Sequence, residues 1–195
     1  MTRDEMYMSR CLQLAALGLG KVQPNPMVGA VIVHHDSIIG EGWHRQYGQG
    51  HAEVNAFVSV TQPELLKEST MYVSLEPCYH YGKTPPCADA IIRHGVPKVV
   101  IGTVDRNAKV NGGGIRKLQD AGIEVVTGVL AGQCKELNRR FFTYHEQKRP
   151  YVILKWAMTR NGYMDIDRQQ NPDGQYWITN HELKTMVHQW RSEED

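Results

Sequence analysis

From residue 30 to residue 144, short apolar runs alternate with stretches of helical spacing, and no other feature restricts the fold as strongly. Ala30 to Val33 and Ser37 to Trp43 read as strands joined by the polar turn His34-His35-Asp36. Ala52, Ala56 and Val60 recur at helix spacing across residues 51–60, and Met71 to Leu75 is again strand-like. Thr84-Pro85-Pro86-Cys87 has the form of a helix start, with Thr84 as N-cap, Pro85 in the first turn and Gly95 as the stop after His94. Lys98 to Thr103 and Gly122 to Val126 are expected as strands, with the glycine-rich loop Asn111-Gly112-Gly113-Gly114 and a helical stretch between them. Leu130 to Tyr144 reads as one further helix. Strands and helices alternating in this order imply an α/β layer architecture.

Composition narrows the function. Lysine plus arginine total 22 and aspartate plus glutamate 21, a balance that argues against a broad nucleic-acid footprint but leaves room for a small phosphorylated ligand. The first twenty residues read as an amphipathic helix with early acidic residues, not as a signal peptide, and no stretch is apolar enough to cross a membrane. Cysteines at positions 11, 78, 87 and 134 are too sparse for a disulfide framework, so a reducing, cytoplasmic location is expected. A length of 195 residues suits one full domain plus a remainder.

The chemistry-bearing residues cluster in two places. One is His51-Ala52-Glu53, and the other is Pro77-Cys78 followed by eight residues and then Cys87. One imidazole and two thiolates suit zinc, and three protein ligands leave a fourth position open, as in catalytic sites. Glu53 stands two residues beyond His51, near the metal without having to bind it, where it can take a proton from water and pass it to a departing amine. The pattern resembles the H-x-E and P-C-x-x-C signature of zinc deaminases, except that eight residues separate the cysteines instead of two. Cys87 is expected in the first turn of a helix, where the dipole favours a thiolate, and His51 at the start of its own. A structural zinc would need a fourth protein ligand, for which His80 is nearest; Cys11 and Cys134 read as core residues.

Longer motifs carry a closer resemblance. Pro24-Asn25-Pro26 with Val28-Gly29, His51-Ala52-Glu53-Val54, and the unbroken run from Leu75-Glu76-Pro77-Cys78 to Thr84-Pro85-Pro86-Cys87 resemble the bifunctional deaminase/reductase of riboflavin biosynthesis. The resemblance implies a cytidine-deaminase-like three-layer α/β/α domain with a central mixed sheet over residues 1–146, holding one catalytic Zn2+. It also implies the substrate, 2,5-diamino-6-(5-phosphoribosylamino)pyrimidin-4(3H)-one, deaminated to 5-amino-6-(5-phosphoribosylamino)uracil. By motif position His51, Cys78 and Cys87 would hold the metal, Glu53 would move protons, and Asn25, His44, His80 and Lys83 would contact substrate. Arg106 and Ala108 stand where the family has prolines, which should loosen that loop. A homo-oligomer is the family expectation. A deaminase of another nucleobase or nucleotide, or a zinc-stabilised binding domain without catalysis, are the alternatives.

Near Gln147-Lys148-Arg149-Pro150 the character changes. Tyr151 to Ala157 reads as a fresh strand, and Trp177-Ile178-Thr179 precedes a helical stretch. Residues 147–195 are similar to the opening of the family's dihydrofolate-reductase-like α/β domain, which binds NADPH. By position Ala157 and Trp177 would touch that cofactor and Arg191 the substrate phosphate. Most of the reductase core is absent from the sequence, so the expectation is a shortened version of a longer bifunctional enzyme without reductase activity of its own.

Overall fold

The apolar runs assemble into one sheet. In the computed structural model, which describes residues 1–81, 85–105, 112–165, 169 and 176–192, the strands are β1 (Gly29–His34), β2 (Ser37–Trp43), β3 (Ser69–Leu75), β4 (Lys98–Thr103) and β5 (Glu124–Thr127). Their order is β2-β1-β3-β4-β5. β1 pairs antiparallel with both β2 and β3, whereas β3, β4 and β5 run parallel, so the sheet is mixed as expected. β1 and β4 are buried along nearly their whole length, which explains their continuous apolar runs.

Successive residues of a strand point to opposite faces, and both faces are covered. On one face Ala30, Ile32, Val73 and Ile101 pack against Ala52 and Ala56 of α2 (Ala52–Ser59), Ile91 of α3 (Cys87–His94) and Leu118 of α4 (Gly113–Asp120). On the other, Val31, Val33, Tyr72 and Val100 meet Tyr7, Met8, Cys11 and Leu14 of α1 (Arg3–Ala16), together with Cys134 of α5 (Ala131–Leu137). Helices on both sides of a sheet make the expected three layers. Cys11 and Cys134 are core residues, and burial pushes both thiols above their usual range.

Three local expectations need correction. α3 begins at Cys87 with Pro86 as N-cap; Pro85 precedes the helix, and Thr84 lies outside the described residues. Its stop is as expected, with Gly95 in the left-handed conformation at φ 70°. The strand expected from Gly122 starts at Glu124, because Gly122 takes φ 81° to turn the chain out of α4. The single helix expected from Leu130 to Tyr144 is two, α5 and α6 (Arg139–Gln147), broken at Asn138. There the Asn138 amide accepts from Met27 N at 2.8 Å and donates to Met27 O at 2.8 Å. A side chain that pairs with a distant backbone in this way competes with continuation of its own helix.

The chain divides into two compact units, Met1–Tyr151 and Val152–Asp195. None of the described residues of the second unit is buried. Its regular element is α7 (His181–Ser192), where Asn180 Oδ1 accepts from Leu183 N at 2.9 Å as an N-cap. The strand expected over Tyr151 to Ala157 is not formed, since an extended segment becomes a strand only when a neighbour completes its hydrogen-bond ladder. Among the described residues no helix is long and apolar enough to cross a membrane.

Candidate active site

Two helix starts meet at the C-terminal end of the central strand β3. α2 lies directly on β2 because Gly42 has no side chain: a Cβ there would overlap the Ala56 amide nitrogen and the Ala52 carbonyl oxygen. That close approach sets His51, the N-cap of α2, and Glu53, buried in its first turn. β3 ends at Leu75 and leads through Glu76-Pro77 to Cys78, while Cys87 is the first residue of α3. The N-terminus of α3 is tied to the strand exit, since Ala88 N donates to Cys78 O at 3.0 Å and Cys87 N to Cys78 Sγ at 3.3 Å.

These elements bring together the three donors expected from the sequence. His51 Nδ1 lies 3.2 Å from Cys87 Sγ and 3.6 Å from Cys78 Sγ, and all three donor atoms fall within 4.8 Å of one another. Around a tetrahedral zinc with ordinary bond lengths, nitrogen and sulfur ligands stand about 3.6 Å apart, so the cluster has the right size. Its protonation is coupled. A hydrogen bond from the Cys87 thiol, with support from His51, holds Cys78 well below the usual thiol range. Cys78 and burial push Cys87 well above it, and the hydrogen bond to Cys78 raises His51 to about 8. A divalent cation replacing those shared protons would satisfy both sulfurs and the imidazole together. His80 is not part of the cluster, so a fourth protein ligand is not found among the described residues.

The cluster opens on a cavity of about 290 Å³. Glu53 lines it, is 3% exposed, and has its carboxyl raised above the usual range by burial. Asn25, His44 and His80 line it as well. His44 Nδ1 donates to Gly50 O at 3.2 Å, so its Nε2 is left to accept from Asn25 Nδ2 at 3.2 Å. That pair leaves Asn25 Oδ1 available to a ligand. His80 Nδ1 is buried with no hydrogen-bond partner among the described residues, as expected of a group awaiting one. Lys83, Arg106 and Ala108 lie outside the described residues. Ala157 and Trp177 sit in irregular segments of the second unit and Arg191 near the end of α7.

Among the cavity residues that the sequence reading did not single out are Glu76 and Asp105. Glu76 is 4% exposed, and among the described residues its carboxylate accepts four backbone N–H groups. Asp105 N and Gly112 N donate to Oε2 at 3.1 and 3.0 Å, and Gly114 N and Ile115 N to Oε1 at 3.0 and 3.2 Å. Glu76 therefore caps α4 from another element and ties the Asp105 segment to the strand exit that carries Cys78. The signal available was its place inside the Leu75-to-Cys78 motif, but nothing local announces four donors from residues 29 to 39 positions further on.

Comparison with known proteins agrees with this geometry. Residues 1–103 match the family described as cytidine and deoxycytidylate deaminase zinc-binding region. The diaminohydroxyphosphoribosylamino-pyrimidine deaminase of Buchnera aphidicola subsp. Schizaphis graminum is 46% identical over 140 residues, covering 72% of this chain and 94% of that protein. This chain belongs to the riboflavin-biosynthesis deaminase family. Within that family, the riboflavin biosynthesis protein RibD of Aquifex aeolicus is 45% identical over 190 residues, covering 97% of this chain and 52% of RibD. The crystal structure of the Thermotoga maritima diaminohydroxyphosphoribosylaminopyrimidine deaminase/5-amino-6-(5-phosphoribosylamino)uracil reductase superposes with a TM-score of 0.85 at 44% identity, covering 97% of this chain and 53% of that one. The chain thus spans about half the length of these two relatives. A zinc-binding deaminase region and a His/Cys/Cys cluster fit one Zn2+ in this member of the riboflavin-biosynthesis deaminase family.

Proposed function

We propose that this chain deaminates 2,5-diamino-6-(5-phosphoribosylamino)pyrimidin-4(3H)-one, giving 5-amino-6-(5-phosphoribosylamino)uracil and ammonia. The observation that carries the reading is the His51, Cys78, Cys87 cluster opening on a cavity that also holds the buried Glu53. The name of the Buchnera relative, matched over nearly its whole length, supports the substrate.

His51, Cys78 and Cys87 would hold the zinc, which when bound supplies a Lewis acid and brings the pKa of a water down to roughly 7. Glu53 then acts on the proton. It accepts one as water adds to the ring carbon bearing the 2-amino group and returns it to that amino group, which leaves as ammonia. Burial raises the Glu53 carboxyl above its usual range, the direction that favours its carrying a proton between the two transfers. Asn25 Oδ1 and His80 Nδ1 offer polar contacts to the base or ribose, with His44 fixing the Asn25 amide. Lys83, carried by motif position alone, would pair with the phosphate.

On the same reading residues 1–146 form the deaminase domain and 147–195 the opening of a reductase domain. In the longer relatives that second domain would bind NADPH; the positions carried over are Ala157 and Trp177 for the cofactor and Arg191 for the substrate phosphate.

The test is ammonia release from the diaminopyrimidine ribosyl phosphate, with zinc-loaded and chelated protein, and with Glu53→Gln. Zinc-dependent release that falls about 10²–10⁴-fold in Glu53→Gln is expected. Folded, zinc-loaded protein that releases no ammonia, or a Glu53→Gln variant as fast as the parent, would overturn it.

A further inference from the structure

A second group of metal-ligand side chains stands at the other end of the sheet. His34 closes β1, His35 occupies the turn into β2, and Glu68 ends the short 3-10 helix Pro63–Glu68, one residue before β3. Two adjacent residues of an extended strand point to opposite faces and do not share a ligand. Here His35 takes φ 51°, which breaks the alternation and brings the two imidazoles to 4.1 Å between ring centroids. Glu68 arrives because its neighbour Ser69 pairs with His34 in the β1–β3 ladder. His34 Nε2 and Glu68 Oε2 are 3.9 Å apart, and one donor atom from each of the three residues lies within 4.8 Å of the others.

We propose that His34, His35 and Glu68 bind a divalent late transition-metal ion, independently of the deaminase cluster. Two imidazoles and a carboxylate form a nitrogen-and-oxygen set suited to Zn2+ or Ni2+ and lacking the thiolates of the other site. Around a tetrahedral ion, nitrogen and oxygen ligands stand about 3.3 Å apart, and the Glu68 side chain, 74% exposed, is free to close that small difference. Arg3 borders the turn; its guanidinium pairs with Asp36 and donates to the His35 carbonyl, so its charge is partnered.

The site is remote from the cavity. Ser69 and Leu75 mark the two ends of β3, a span of about 20 Å at strand rise, and the cavity lies at the Leu75 end. An ion here would join the β1–β2 hairpin to the entry of β3, clipping together the antiparallel half of the sheet.

The experiment is a titration of the full chain with Co2+, read by visible absorption and by cobalt retained after gel filtration. Two equivalents per chain are expected: one with thiolate-to-cobalt charge transfer from the cysteine cluster, the other without it. His35→Ala and Glu68→Ala should each reduce retained cobalt from two equivalents to one and leave the charge-transfer band unchanged. A single equivalent in the parent protein overturns the proposal. So does a second equivalent that persists in both variants, because it would then be held by other surface groups.

Discussion

Replacing Glu76 by glutamine isolates the capping carboxylate with almost no change in size. In the parent its two oxygens each serve two backbone donors: Oε2 takes Asp105 N and Gly112 N, and Oε1 takes Gly114 N and Ile115 N. An amide keeps one oxygen and turns an NH2 towards the other pair, so two donors are lost whichever way it flips. Each pair contains one buried N–H, from Asp105 or Gly114, and one part-buried N–H, from Gly112 or Ile115. The orphaned buried donor costs about 1–3 kcal/mol, and the part-buried one, which water can reach, about 1 kcal/mol. A loss of about 2–4 kcal/mol follows, without adding the weakened charge at the α4 N-terminus. Urea denaturation followed by far-ultraviolet circular dichroism measures it, with an unchanged m-value as the check that both proteins unfold over the same surface. Because Glu76 and Asp105 both line the cavity, KM for the proposed substrate should also rise. A Glu76→Gln protein within about 1 kcal/mol of the parent at equal m-value would refute the reasoning.

Gly42→Ala should destabilise the first unit by about 1–3 kcal/mol or more, because its Cβ meets the backbone of α2, which cannot move aside as a side chain would; thermal denaturation reads the loss. The same variant should lower zinc affinity in a competition assay with a chromophoric chelator, since α2 carries His51. Burial lowers the His44 pKa, so the unfolded chain binds this proton more readily than the folded one. The corresponding stability is complete above the unfolded value of about 6.5 and is lost as pH falls from there through the folded value. Denaturation midpoints from pH 7 to pH 5 should therefore fall more steeply for the parent than for His44→Gln, and equal slopes would rule the His44 contribution out.

How far the sequence reading reached depends on the range over which each feature is specified. β2 and β4 were legible residue for residue, because a strand buried or half-buried in one sheet writes its own period into six or seven consecutive positions. The His51, Cys78, Cys87 cluster was legible for a different reason: zinc accepts few donor types, and the three residues sit in short motifs, His51 and Cys87 at helix starts and Cys78 just past the end of β3. The break at Asn138 was not legible, since α5 and α6 together look like one amphipathic helix and the interruption depends on Met27, 111 residues away. The expected strand after Tyr151 failed in the opposite sense: its composition is strand-like, but a strand exists only with a partner.

From its sequence alone this chain determines the layer architecture, the donor types of a cluster that fits zinc and the family, because periodicity and ligand chemistry are local properties. The tertiary structure decides which groups act together. It sets His51 within 3.2–3.6 Å of two sulfurs 27 and 36 residues away and, among the described residues, leaves His80 Nδ1 without a partner and gathers four amides onto Glu76. It also turns His35 back onto His34. Each of these depends on how strands and helices pack, and a hydrogen bond or a ligand set closed across a sheet leaves no period in the chain that makes it.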